Sequence, residues 1–112
     1  MSGDRMRRVD EAIREVLSDA LGSSGLKDPR IGFVTVTDVK TTADLRQARV
    51  YVTVLGDQQQ RESSLAGLQS AHGVLQRRVS RELRMKRTPT LEFRYDDTTD
   101  RAMRMEQLLD DG

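Results

Sequence analysis

The stretch Arg46-Gln47-Ala48-Arg49-Val50-Tyr51-Val52-Thr53-Val54-Leu55 alternates in character almost residue by residue. Ala48, Val50, Val52 and Val54 fall on one face and Gln47, Arg49, Tyr51 and Thr53 on the other, because successive side chains of a strand point to opposite sides. Such a segment is a strand with one buried and one wetter side. Just upstream, Ile31 to Lys40 (IGFVTVTDVK) is dense in β-branched residues and reads as an earlier strand, with Phe33 expected in the core. The polar, turn-like link from Thr41 to Leu45 is short enough to predict an antiparallel pair.

Helical periods flank this pair. From about Arg5 to Gly22, the residues Met6, Val9, Ile13, Val16, Leu17, Ala20 and Leu21 recur at spacings of three and four and share one face. Asp4 is expected to cap this helix and Gly22 to stop it. Gly22 to Gly25 is a flexible joint, and Asp28-Pro29-Arg30 is a turn that no helix can cross. Downstream, a second helical pattern starts near Gln59 and carries Leu65, Leu68, Leu75, Val79 and Leu83, interrupted at Ser70-Ala71-His72-Gly73 and stopped by Thr88-Pro89-Thr90. Leu91 to Tyr95 (LEFRY) reads as a short third strand, with Phe93 in the core. Asp96-Asp97-Thr98 can cap a last helix whose narrow apolar seam is Ala102, Met105 and Leu109. The order is helix, strand, strand, helix–helix, strand, helix, an α+β arrangement. Residues 1–112 are expected to form one domain, with a core over about 5–95 and a C-terminal extension over about 96–112.

Composition narrows the function. With no cysteine and one histidine, disulfides and zinc sites of the usual Cys/His kind are excluded. No window approaches the roughly 18 apolar residues that span a bilayer, so no membrane role is expected and the default compartment is the cytoplasm. The sequence has no Gly-rich phosphate loop, nucleophile elbow or His-paired nucleophile, so neither an enzyme nor a cofactor is expected. Helix capping accounts for Asp96, Asp97 and Asp100 more simply than a metal does.

The net charge is only +1, yet Arg77, Arg78, Arg81, Arg84, Lys86 and Arg87 crowd one stretch in which Glu82 is the sole opposing charge. At about 100° per residue, Leu75, Val79 and Leu83 point one way while Arg77, Arg81 and Arg84 cluster within about 60° on the opposite side. The pattern predicts a helix that lays its aliphatic face on the sheet and holds a ladder of guanidinium groups to solvent. A planar, permanently charged fork of donors suits phosphate, so this stripe is the candidate landing surface for nucleic acid. Arg5, Arg7 and Arg8 on the first helix, and Lys27 and Arg30 around the turn, can widen it if they fold alongside. Among the aromatics Phe33, Tyr51, Phe93 and Tyr95, only Tyr51 lies on a wetter face, so recognition is expected to use backbone charge and shape more than base stacking. His72, in register with Leu68 and Leu75, is expected to be packed with one hydrogen bond. Gly73 permits either one continuous helix or a break.

Several of these segments resemble a known family. Asp28-Pro29-Arg30-Ile31-Gly32-Phe33-Val34-Thr35-Val36-Thr37-Asp38-Val39 and Asp44-Leu45-Arg46-Gln47-Ala48-Arg49-Val50-Tyr51-Val52-Thr53-Val54-Leu55-Gly56 are similar to the first and second strand signatures of bacterial ribosome-binding factor A. The Arg-rich helix, Thr88-Pro89 and Leu91-Glu92-Phe93 follow in the family's order, and the likeness runs from about Arg8 to Leu109. The resemblance implies a type II KH-like fold, α-β-β-α-kink-α-β, with a C-terminal extension. It further implies a non-enzymatic factor that binds the small (30S) ribosomal subunit and 16S ribosomal RNA, acts late in 16S rRNA maturation, helps growth in the cold, and is a monomer when free. KH domains commonly grip nucleotides with a GXXG loop between two helices; no such loop stands between the two later helices here, and Ala71-His72-Gly73 matches the family's Ala-x-Gly kink in its place. Two rival readings are a generic KH module for single-stranded RNA and an adaptor that recruits a basic protein through acidic Asp96, Asp97, Asp100, Glu106, Asp110 and Asp111.

Overall fold

The computed structural model describes residues 2–22 and 28–97. The element order is α1 (Ser2–Gly22), β1 (Val34–Thr41), β2 (Gln47–Val54), α2 (Gln58–Ser70), α3 (His72–Leu83) and β3 (Thr90–Tyr95), the expected α-β-β-α-kink-α-β succession of a type II KH-like fold. Lys27 and the proposed last helix lie outside the described residues. The first helix starts two residues before Asp4, which therefore belongs to the first turn and not to the cap.

The sheet has the order β1-β2-β3, with β1 antiparallel and β3 parallel to β2. Its register puts Val34 opposite Val54, Val36 opposite Val52, Val39 opposite Val50 and Thr41 opposite Ala48. Val36 and Val39 are three residues apart, an odd spacing that would send them to opposite faces of a regular strand. A bulge between Val36 and Asp38 absorbs the extra residue, Thr37, and returns Val39 to the core side. Thr37 is tied down across the sheet's width: its Oγ1 lies 3.2 Å from the Tyr51 carbonyl and 2.5 Å from Asp96 Oδ2. Asp96 is thus a buried acceptor at the end of β3, and its carboxylate accepts from Thr37 of β1.

All three described helices cover the Val50 face of the sheet. Ile13, Val16, Leu17 and Ala20 of α1, Leu68 of α2, and Leu75 and Val79 of α3 share one buried cluster with Val36, Val39, Ala48, Val50, Val52, Leu91 and Phe93. Each fully buried Leu, Ile or Val contributes about 1.5–3 kcal/mol relative to exposure. Asp10 of α1 ties the helix to the edge strand, accepting from the backbone N–H of Thr41 at 3.0 Å and from its hydroxyl at 2.5 Å.

Two aromatic expectations are corrected. Phe33 lies one residue ahead of β1 and is 81% exposed, on the rim of an open groove that it shares with Leu55 and with Gln59, Gln60 and Ser63 of α2. Tyr51 is 7% exposed even though it is on the face away from the helices. It is flanked in register by Asp38 on β1 and Arg94 on β3.

The turn before β1 is held by small residues of α2. Ser64 Oγ accepts from the Gly32 N–H at 3.0 Å and is 3.3 Å from the Arg30 carbonyl, to which its hydroxyl donates. A Cβ on Gly67 would come within 2.6 Å of Ile31 Cγ1 and 3.3 Å of Arg30 Cβ, so only glycine lets the turn seat on the helix. Gly73 differs: a Cβ there would meet nothing nearer than Arg77 Nη1 at 3.9 Å. Gly67→Ala is therefore expected to lower stability by about 1–3 kcal/mol through overpacking. Gly73→Ala should leave stability unchanged or raise it by up to about 1 kcal/mol through helix propensity. Urea denaturation of the two variants checks this, and equal stability of Gly67→Ala and the parent would refute the close approach.

Candidate nucleic-acid interface

The break at Ala71 creates α3 as a separate helix. Asp57 caps α2 by accepting from the Gln60 N–H, and the Gln60 side chain accepts in return from the Asp57 N–H, a reciprocal capping box. The helix then runs to Ser70, where Ala71 (φ −90°, ψ 4°) leaves the helical geometry and α3 restarts at His72. His72 stabilises the joint: its Nδ1 lies 2.7 Å from the Gln69 carbonyl, and since a carbonyl only accepts, Nδ1 carries the proton.

Leu75 and Val79 bury the inner face of α3 almost completely, and this fixes the rotation of the helix about its axis. Arg77 and Arg81 consequently face solvent. Arg77 borders a shallow groove with His72, Gly73, Gln76, Ser80 and Thr88. Neither arginine has a carboxylate within ion-pairing distance among the described residues, so both charges are available to an outside anion.

The ladder does not continue as a helix. It ends at Leu83, five residues before Thr88, and Arg84 takes the left-handed conformation (φ 52°, ψ 43°). Its N–H and that of Met85 both bond the Ser80 carbonyl, satisfying a helix end that more often uses glycine. Arg84, Lys86 and Arg87 are exposed, but they sit on the connection to β3, with Pro89 buried behind them. The sequence pattern extends past Leu83 because the left-handed turn is a backbone event that apolar spacing does not record.

Arg78 is not part of the free surface. Its Nη2 is 2.8 Å from Asp19 Oδ2 on α1 and its Nε 3.4 Å from Glu82 Oε1, and its side chain is 29% exposed. It joins α3 to α1. Arg30 is also engaged: Asp28 accepts from its backbone N–H, from Nε at 3.1 Å and from Nη2 at 2.7 Å. The hydrogen bond from the Arg30 side chain, helped by the backbone bond, lowers the Asp28 pKa to about 2, and the same pairing raises that of Arg30. Arg7 lines a groove of mixed charge with Asp10, Glu11, Arg14, Asp38 and Lys40 beside β1, away from Arg77. Arg8 is exposed on α1. The residues that hold the turn, Ser64 and Gly67, carry no functional signature in the sequence; their spacing of three on one helical face is the signal that marks a close approach.

A family profile described as Ribosome-binding factor A matches residues 5–109. The chain belongs to the ribosome-binding factor A family. It is 47% identical over 106 residues to ribosome-binding factor A of Geobacter sulfurreducens, covering 95% of this chain and 89% of that one. The crystal structure of ribosome-binding factor A from Thermus thermophilus superposes with a TM-score of 0.70 at 28% identity, covering 80% of this chain and 94% of that one. A homology model of the Thermus thermophilus factor, fitted into a cryo-electron-microscopy map of a 30S complex with that factor, matches with a TM-score of 0.64 at 29% identity over 76% of this chain and 88% of that one. Among the described residues no helix is long and apolar enough to cross a membrane, and no three of His, Asp and Glu gather as a metal set.

The paired geometry of Asp28 and Arg30 is open to direct test. A depressed carboxyl pKa means that the pairing contributes above the ordinary value of 3.8 and is lost as pH falls through about 2. The Asp28 carboxyl should titrate near 2 by NMR, and in Arg30→Gln its midpoint should return toward the ordinary value. An Asp28 midpoint that ignores this substitution would contradict the assigned cause.

Proposed function

We propose that this chain is a non-enzymatic assembly factor that binds the small ribosomal subunit and its 16S ribosomal RNA, assists late 16S rRNA maturation, matters most at low temperature, and works in the cytoplasm. The observation that carries the reading is the outward, unpaired Arg77 and Arg81 on a helix locked by Leu75 and Val79. Membership of the family supports it, as does the fit of a related factor into a 30S complex map. Arg84, Lys86 and Arg87 extend the surface along the connection to β3. Arg8 and Lys27 are secondary contacts, while Arg7 and Arg30 are weaker candidates because carboxylates stand beside them. Arg78 has a structural part, holding α3 against α1. Residues 5–95 act as one folding unit, with 96–112 as an appendage to it.

Recognition of single-stranded RNA by a stacking platform is disfavoured because Tyr51 is buried and Phe33 is the one exposed aromatic among the described residues. For the adaptor reading, Asp96 is unsuitable because it is buried against Thr37; the rest of that acidic segment beyond Asp97 lies outside the described residues.

If about four phosphates are contacted, log affinity for 30S subunits should fall with log salt at a slope of roughly −3 to −4. The Arg77→Glu/Arg81→Glu variant should lose subunit binding in sedimentation assays while keeping the parent's circular dichroism and melting curve. Retained binding by that folded variant would reject the assignment. Arg78→Ala should behave in the opposite sense, costing about 0.5–1 kcal/mol of stability with a smaller effect on binding.

A further inference from the structure

Among the described residues two that are not glycine take positive φ, Leu45 at 60° and Arg84 at 52°. Such backbone is costly for ordinary side chains and persists where the surroundings enforce it, often at working sites. Both precede basic residues at element junctions. Leu45 is followed by Arg46 at the start of β2, and Arg84 opens the segment Arg84-Met85-Lys86-Arg87 that leads into β3.

The sheet brings the first of these junctions beside the end of the segment that the second one opens, although some forty residues separate them in sequence. The Arg46 carbonyl accepts from the Thr90 N–H at 2.8 Å, and Gln47 pairs with Thr90 in register. Arg87 is three residues before Thr90, so its backbone lies within about 11 Å of that contact at full extension. The frame is firm: Pro89 is fully buried, and the loop is cross-tied by the Thr42 hydroxyl, which accepts from the Gln47 N–H at 3.1 Å and donates to Asp44 Oδ1 at 2.6 Å.

Asp44 is the one acidic residue in segments 42–47 and 84–90. The Arg46 side chain is 83% exposed, and its nearest carboxylate oxygen, Asp44 Oδ2, is 3.9 Å away. A pair so long and so wet is screened by salt and worth little. Asp44 also accepts from the Thr42 hydroxyl and the Arg46 N–H, so the loop already engages it. Arg84, Lys86 and Arg87 are exposed, and no carboxylate occurs between Arg84 and Thr90. Stacking has no platform here, since the exposed large apolar residues among those described are Phe33, Leu45, Leu55 and Val74, of which only Leu45 is at this end.

We propose that Arg46 contacts an RNA phosphate, and that with Arg84, Lys86 and Arg87 it forms one cationic rim where β2 and β3 begin. This rests on the reading of the chain as an rRNA-binding factor and adds a residue outside the helical arginine stripe. The occupant is sugar–phosphate backbone, because a cluster of long, solvated cations without aromatic neighbours neutralises charge and reads no base.

The test is binding of the full chain to 30S subunits at about 50 to 200 mM salt by Arg46→Gln, Arg46→Lys and the Arg77→Glu/Arg81→Glu variant. Arg46→Gln keeps the carbonyl that bonds Thr90 and should melt like the parent. It should bind severalfold more weakly, with the salt slope reduced in magnitude by about 1, while Arg46→Lys keeps the parent slope. Parent-like affinity and slope in Arg46→Gln, alongside lost binding by the double variant, would overturn the rim and leave the helical surface standing. Parent-like binding by both would overturn the rRNA reading itself. With a photo-cross-linking residue at position 46, adducts on 16S rRNA support the assignment, and adducts on ribosomal protein alone refute it.

Discussion

Burial of Leu75 and Val79 is the contact on which the proposed surface depends. A helix packed on one side by two fully enclosed aliphatic residues four positions apart cannot turn about its axis without exposing them. Arg77 and Arg81 are therefore held outward by an interaction in which they take no part. Arg78, one position round the helix, is carried toward α1, where its charge is taken up by Asp19 and Glu82. Neighbouring arginines thus acquire different roles from rotation alone: two are free for an anion, and one fastens the helix that presents them.

The platform beneath α3 is built from few parts. β2 is paired on both edges, and its Ala48, Val50, Val52 and Val54 are the floor on which the helices rest. The edge strand β1 needs its bulge at Thr37 to keep Val34, Val36 and Val39 on that floor, and Asp96 secures the bulge from the far end of β3. On the other side of the helices, Ser64 and Gly67 let the Pro29–Gly32 turn press against α2. This contact engages Arg30 and Ile31 as parts of the scaffold, and Asp28 holds the Arg30 guanidinium in place. The motif that resembles the family's first-strand signature is in this protein a packing device before it is anything else.

Much of the architecture was legible in the chain. The alternation of β2 and the three-and-four spacing of Ile13, Val16, Leu17 and Ala20 each record a local rule of geometry and match the element found there, whereas the helix expected to run up to Thr88-Pro89 ends at Leu83. Phe33 and Tyr51 were misplaced for a common reason. Burial depends on what lies across from a side chain: Phe33 has an apolar ring on the rim of an open groove, and Tyr51 lies on the wetter face of a strand that is paired on both edges. The candidate site divides along the same line. That a cluster of arginines lies opposite an aliphatic stripe follows from spacing. Which arginines are free does not: Glu82 is within helical reach of Arg78, but the shorter pair is with Asp19 of α1, which spacing along α3 does not show.

By itself the sequence determined the order of the described elements, the buried faces of α1, β2 and α3 and the concentration of positive charge near the third helix, since periodicity and composition act over a few residues. Tertiary structure alone decided where the helix ends, which cations are neutralised, and that Arg46 lies beside the segment leading out of α3. The Asp19–Arg78 pair and the Arg46–Thr90 bond depend on segments distant in the chain meeting in space, while the left-handed turn at Arg84 is a local backbone event that side-chain spacing does not record. Hydrogen bonds and ion pairs act over a few ångströms, and a linear pattern does not carry that distance.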